Sequence, residues 1–244
     1  MAATKKERQM TLSQICKSVR LCIDEEAANS SSLADADTDS VLMDHIIEDK
    51  IADAMRWVCL HAPAELLGGS DENKDGVTVS TGILVDAELR IGVNDEDNGV
   101  KLIDAVDCTK LIMPDNFIKL ARVRALEWHK AVRTPISEDS DEYLQLYDDA
   151  GATATPDRPV AAIIDKAHAE IELWPSAEGI VQVTFVASTG GQSFTESSEA
   201  HYPLPPLAKT AFIYYLAFLL LSAYNDPRAA RMLEIAKMNL GKSA

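Results

Sequence analysis

The chain is poor in several features that usually announce a function. Its four cysteines, Cys16, Cys22, Cys59 and Cys108, are scattered, with no Cys-x-x-Cys pair. That excludes a disulfide scaffold and a zinc ribbon, and points to reduced thiols made in a cytoplasm. The first residues hold no apolar h-region, so no secretory signal is expected. The longest apolar run, residues 211–221, is too short to span a bilayer. Cations are scarce: 23 Lys and Arg stand against 39 Asp and Glu, a net charge of −16. Nucleic-acid binders gain affinity by releasing phosphate counterions with Lys and Arg, so a grip on DNA or on an anionic membrane is not expected. Such a chain could still line a channel through which DNA slides without sticking.

Motifs for chemistry are also missing. There is no P-loop and no G-x-G-x-x-G. The Ser188-Thr-Gly-Gly191 stretch lacks the G-x-S-x-G elbow, and its glycines read as a loop. His45, His61, His129, His168 and His201 show no paired spacing. Cys59-x-His61 could supply two metal ligands, but nothing nearby completes four. No convergent acid, base or nucleophile is visible, so no enzyme and no cofactor is expected. One half-match remains. Asp71, Asn73 and Asp75 with Gly76 follow the start of an EF-hand loop, where alternate oxygens would wrap calcium. The twelfth position, which should be Glu, is Gly82, so an acidic surface turn is favoured over a calcium site.

What is present is an ordinary globular balance over 244 residues, 47% apolar and 25% charged, enough for one large domain or two small ones. Thr11 and Gln14 form a capping box before a helix carrying Ile15, Val19, Cys22 and Ile23 on one face. A second helix is predicted from near Ser40 until Pro63, with Leu42, Ile46, Ile47, Ile51, Ala54, Met55 and Val58 in helical period. Residues 77–111 turn strand-like, and Asn98-Gly99 suits a hairpin turn between residues 89–93 and 100–103. Further strands are predicted at 160–164, 171–174 and 181–186, and a short acidic helix within 137–147.

Residues 207–224 form a helix apolar nearly all round, which must be buried on all sides, as the centre of a bundle or partly under another subunit. Asp226 is a good N-cap, and Pro227 fits the first turn of a last helix striped with Ala229, Leu233, Ala236 and Leu240. The acidic clusters at 24–26, 35–39, 95–97, 138–142 and 148–149 read as solvated faces or loops. The fold class is therefore α+β. N- and C-terminal helices are expected to form one helical bundle, with an antiparallel β region between them. The expected divisions are 1–67 for the N-terminal helical part, 68–203 for the β-rich region and 204–244 for the closing helices.

The segment after Pro114, residues 117–132, admits two readings. As a helix, Phe117, Leu120, Ala121, Arg124 and Trp128 share a face. As a strand, Ile118 and Leu120 face inward, and Arg122 and Arg124 fall on the Ile118 face, where they need carboxylate partners. Trp128 is a candidate for the core or for a subunit anchor, the core being commoner.

Three blocks resemble the head–tail connector (adaptor, ring) proteins of tailed bacteriophages, especially short-tailed, crAss-like phages of Bacteroidales. The first is 46–67, ending Leu60-His-Ala-Pro-Ala-Glu-Leu-Leu67; the second is 111–132, with Pro114-Asp-Asn-Phe117 and Trp128-His-Lys-Ala-Val132, continued by Asp157-Arg-Pro-Val-Ala161. The third is the pair of C-terminal helices, 211–223 and 227–240. The blocks cover a minority of the chain, in the family's order. His129-Lys130 stands where a basic residue followed by Pro is frequent in the family.

The resemblance favours the strand reading of 117–132. It implies a non-enzymatic virion structural protein, made in the bacterial host cytoplasm and located at the head–tail junction. It would form a homo-oligomeric, typically dodecameric, ring on the portal protein. The ring would extend the DNA channel without binding DNA specifically and offer a platform to phage tail or further ring proteins. The candidate interface residues are Trp128, Arg122, Arg124, Pro227, Leu233 and Leu240, with the last helix docking into a portal groove. The alternative is a cytoplasmic, non-enzymatic scaffold or binding subunit.

Overall fold

The computed structural model describes residues 9–23, 39–67, 83–91, 99–105, 107–148, 154–165, 169–188, 193–194 and 200–241. Two compact units divide the chain, and one is inserted in the other. Met1–Ile83 and Ser188–Ala244 make the first, and Leu84–Ala187 the second.

In the first unit, α1 (Leu12–Ile23), α2 (Asp39–His61), α3 (Ala64–Leu67), α5 (Lys209–Ala223) and α6 (Ala229–Asn239) accompany a small sheet. That sheet has the order β1 (Gln9–Thr11), β11 (Ala200–Pro203), β10 (Ser193–Phe194). The strands at 193–203, read from sequence as the end of the β-rich region, thus pair within the helical unit. The capping box forms reciprocally: Thr11 N donates to Gln14 Oε1, and Gln14 N donates to Thr11 Oγ1, both at 3.2 Å. Ile15 and Val19 are buried on the resulting face.

Helix α5 has no polar face, and α1, α2 and α6 pack against it, leaving Tyr214, Tyr215, Phe218 and Leu219 half-buried rather than enclosed. Phe212, Leu216 and Ala217 are fully buried, and Leu220 and Leu221 nearly so. Its Tyr215 stacks on Trp57 of α2, ring centroids 4.0 Å apart, and Trp57 stacks in turn on His61. Helix α6 begins two residues later than its sequence signals suggest. Asp226 Oδ1 accepts the Arg228 backbone N–H at 2.8 Å and holds the Arg228 guanidinium, whose Nη1 donates to Ile23 O. The side chain thus closes a turn ahead of the helix. The α6 face on α5 carries Ala229, Met232 and Ala236, followed by Leu240.

The second unit is two sheets on one core. The first sheet has the order β2 (Leu84–Arg90), β9 (Ile180–Ala187), β5 (Phe117–Ala125). The second runs β3 (Lys101–Asp104), β4 (Thr109–Ile112), β8 (Glu170–Trp174), β7 (Val160–Asp165), β6 (Ile136–Ser137). Their inward residues meet in a single cluster. Leu89, Val123, Val183 and Phe185 come from one sheet, and Leu102, Leu111, Ile171 and Leu173 from the other. Helix α4 (Asp141–Asp148) follows β6.

Two expectations change here. The hairpin about Gly99 does not form. Gly99 has the positive φ of +68° that its turn needs, but β2 pairs with β9 and β3 with β4, so the chain crosses between sheets. Both strands have one apolar face, and the shared core satisfies each in a different sheet. The region is also not wholly antiparallel, because β6 pairs with β7 in parallel.

Two outcomes test this packing. Leu216→Ala, at the centre of α5, should lower unfolding free energy by about 3 kcal/mol in urea denaturation, and a loss under 1 kcal/mol would remove α5 from the core. The Arg228 guanidinium and backbone N–H hold the Asp226 carboxyl below its ordinary 3.8. A depressed carboxylate stabilises above its unfolded value and loses that effect as pH falls through the folded one. Asp226→Asn should therefore lower the thermal midpoint at pH 7, and the gap to the parent should close as pH drops below about 3.8. A gap independent of pH contradicts the assigned pair.

Candidate assembly surface

The segment 117–132 is a strand followed by a turn, and the placement of its basic residues depends on two bulges. Against β9, Phe117 and Lys119 face consecutive residues, and so do Leu120 and Arg122. Ile118 and Ala121 are the extra residues. Each bulge moves the next side chain to the opposite face. Leu120, Val123 and Ala125 consequently point into the core opposite Phe185, Val183 and Val181. Arg122 and Arg124 stand opposite Thr184 and Gln182 on the outer face. Regular alternation would have put both arginines on the Leu120 side. The bulge after Leu120 is the reason they are not there, and no buried carboxylate partner is required.

Across this outer face the three strands carry different charges. Strand β2 presents Asp86 and Glu88, β9 presents Thr184 and Gln182, and β5 presents Lys119, Arg122 and Arg124. Thr184 Oγ1 donates to Asp86 Oδ1 at 2.5 Å, and Gln182 Nε2 donates to Glu88 Oε2 at 3.4 Å. The neutral central row therefore leans on the acidic one. Arg124 Nε donates to the Trp128 carbonyl at 3.4 Å. Arg122 is exposed and has no ion-pair partner among the described residues. A shallow depression of about 310 Å³ lies between Asp86, Glu88, Gln182, Thr184 and Arg122.

Beyond β5 the basic side continues. Val123 and Val132 exchange backbone hydrogen bonds at 2.8 Å, which lays residues 129–133 along the strand. Lys130 and Arg133 are exposed there. His129 Nδ1 meets Asp157 Oδ1 at 2.6 Å, and His129 N donates to Pro156 O. This contact holds the Asp157 carboxyl below its usual range.

The remaining candidates fall elsewhere. Trp128 is fully buried in the two-sheet core, and its Nε1 finds no acceptor among the described residues. Leu240 is 1% exposed. Both are packing residues within their own units, with no surface to offer a partner. Leu233 is half-buried and Pro227 is exposed. The apolar face of α6 is spent on α5, so the last helix offers a partner its outer side, with Arg231 and the 65%-exposed Met238. Asp71, Asn73 and Asp75 lie outside the described residues. Among the described residues, no three His, Cys, Asp or Glu side chains gather as a metal site. No helix there is long and apolar enough to cross a membrane.

Sequence reasoning missed a cluster on the other sheet. Glu172 of β8 is only 3% exposed. Its carboxylate accepts from Tyr143 Oη and Tyr147 Oη, each at 3.1 Å, and from Trp174 Nε1 at 3.3 Å. Lys110 Nζ lies 3.7 Å away and bonds Glu170 at 2.6 Å. The i, i+4 spacing of the tyrosines on α4 and the alternation Glu170, Glu172, Trp174 were readable in the sequence, but their pairing was not. The arrangement pins α4 to the sheet. Burial first, then Glu172, pushes the Cys108 thiol up to about 11. Burial also raises both tyrosines, and the Glu170 hydrogen bond raises Lys110. All four shifts run away from neutrality, so these groups stay protonated donors rather than bases or nucleophiles near pH 7.

No protein-family model matches the chain, and no curated protein matches it.

Glu172→Ala should cost about 2–3 kcal/mol in unfolding free energy, since it strips a buried acceptor from three donors. Glu172→Gln should cost less. An unchanged stability in the Ala variant would mean the network does not hold α4.

Proposed function

We propose that this chain is a virion structural protein, a subunit of a head–tail connector ring at the portal vertex of a tailed phage, and not an enzyme. The observation that supports this most is how the connector-like blocks meet in space. In the helical unit, Trp57 of the first block stacks on Tyr215 of the third at 4.0 Å. In the inserted unit, His129 of the second block pairs with Asp157 of its continuation. Residues that carry the resemblance are thus mutual contacts, as expected if the blocks specify a shared architecture. On this reading α1 and α2 from the N-terminal part and α5 and α6 from the C-terminal part form one helical bundle.

The charge balance agrees with the role. A net charge of −16 repels DNA and keeps it mobile in a channel. The exposed outer side of α6 remains available to a portal or tail protein. Subunits in a ring meet through a heterologous, head-to-tail contact, which needs two unlike surfaces on each copy.

Quantitative mass spectrometry of purified phage particles tests the proposal. A fixed copy number equal to that of the portal protein is the expected result. Absence from particles would overturn the proposal in favour of a cytoplasmic scaffold.

A further inference from the structure

We propose that α4 is a strap, which lifts off the five-stranded sheet while both sheets stay folded and so uncovers Glu172 and Cys108. The inference goes beyond the ring reading and does not rest on it. The inserted unit has two apolar clusters of unequal size. The main one lies between the sheets and draws residues from both. The other is small, with Cys108, Leu146, Ala154 and Trp174 as its buried members. It sits where α4 covers the outer side of the five-stranded sheet. A small cluster under a short element opens at lower free energy than the core beside it.

Helix α4 is lightly fastened. It is eight residues long and buries one of them, Leu146. Leu144 and Tyr147 are exposed. Its other hold is polar and aromatic. The Tyr143 and Tyr147 hydroxyls each donate to Glu172 at 3.1 Å, and the Tyr147 ring meets Trp174 edge-on at 5.4 Å. A cap ties its first turn to the end of β6: Tyr143 N donates to Ser140 Oγ at 3.2 Å, and Ser140 Oγ donates to Ser137 O at 2.7 Å. The helix can therefore swing from that end with its cap intact.

The sheet beneath stands without α4. Strand β8 is paired on both sides, with β4 and β7, and its Ile171 and Leu173 belong to the main core. When α4 lifts, Glu172 keeps Trp174 Nε1 at 3.3 Å and Lys110 Nζ at 3.7 Å. Water replaces the two tyrosine hydroxyls on its carboxylate, which offsets most of what their departure costs. The unit thus has two states of one face, closed over a satisfied carboxylate or open with that carboxylate hydrated.

Cys108 reports the opening. Its thiol, pushed up to about 11 by burial and then by Glu172, regains ordinary reactivity once uncovered. The full-length protein is treated with a thiol-alkylating reagent in rising urea, below the unfolding transition. Mass spectrometry follows the Cys108 peptide, and amide hydrogen exchange of β9 is read in parallel samples. A local opening exposes little surface and responds weakly to urea, whereas unfolding of the unit responds steeply. Cys108 should label far more slowly than in the unfolded chain, at a rate nearly flat with urea, while β9 exchange climbs. Tyr143→Phe with Tyr147→Phe removes both hydroxyls, keeps the rings, and should raise the Cys108 rate at least about tenfold. Leu146→Ala should raise it as well, and circular dichroism checks that the variants are folded.

Cys108 labelling that climbs in step with β9 exchange would overturn the inference, because the thiol would then be reached only when the sheets unfold. Labelling at the unfolded-chain rate would overturn it too, as would folded variants that label like wild type. The wild-type urea dependence decides the matter without the variants.

Discussion

Two extra residues in β5, Ile118 and Ala121, decide which side of the inserted unit is core and which is surface. Without the bulge at Ala121, Leu120 and Arg122 would share a face. One of them would then be misplaced: an arginine buried without a partner, or a leucine and its neighbours in water. Burying an unpaired guanidinium costs several kcal/mol even after relaxation. The bulge removes that conflict by giving up regular pairing at one position. Leu120, Val123 and Ala125 then complete the core with Phe185 and Val183, and the basic row falls outward. The charged face described above follows from that local shift.

The same sorting of polar groups recurs on the other sheet by a different means. There, alternation is regular, and it sends Glu170, Glu172 and Lys110 to the side away from the shared core. Two tyrosines of α4 and the indole of Trp174 cover Glu172, turning an exposed face into a satisfied one. A buried carboxylate is tolerated because donors surround it. The two sheets therefore share one apolar interior but differ outside: one is covered by hydrogen bonds to a helix, and the other carries an acidic and a basic row on its two edge strands. In the helical unit the constraint is simpler. Helix α5 has no polar side, α1, α2 and α6 pack against it, and the stacked rings of His61, Trp57 and Tyr215 line one flank.

Much of this was legible in the residues. The capping box at Thr11, the stop at Pro63, the strand at 180–187 and the apolar helix before Asn225 all follow local rules of periodicity and capping, and all lie close to where those rules put them. Pairing partners were not legible. Asn98-Gly99 carried a genuine turn signal, yet it says only how the chain bends, not which strands flank the bend in a sheet. The bulges were half legible: the apolar pairs Phe117-Ile118 and Leu120-Ala121 break strict alternation, but the pattern does not say which residue is extra until β9 supplies its partners. For that reason the orientation of β5 was not legible. Arg122 and Arg124 were singled out but assigned to the inner face. Trp128 and Leu240, equally apolar in sequence, turned out to be packing residues.

The orientation of β5 is the claim on which the charged face depends, and cysteine accessibility reads it directly. Single variants Arg122→Cys and Val123→Cys would be treated with a thiol-alkylating reagent in the native state, and the modified peptides located by mass spectrometry. The structure predicts rapid labelling at position 122 and protection at 123 until the protein is unfolded. Protection at 122 with labelling at 123 would mean that β5 keeps regular alternation, that the bulge is absent, and that no basic row faces outward.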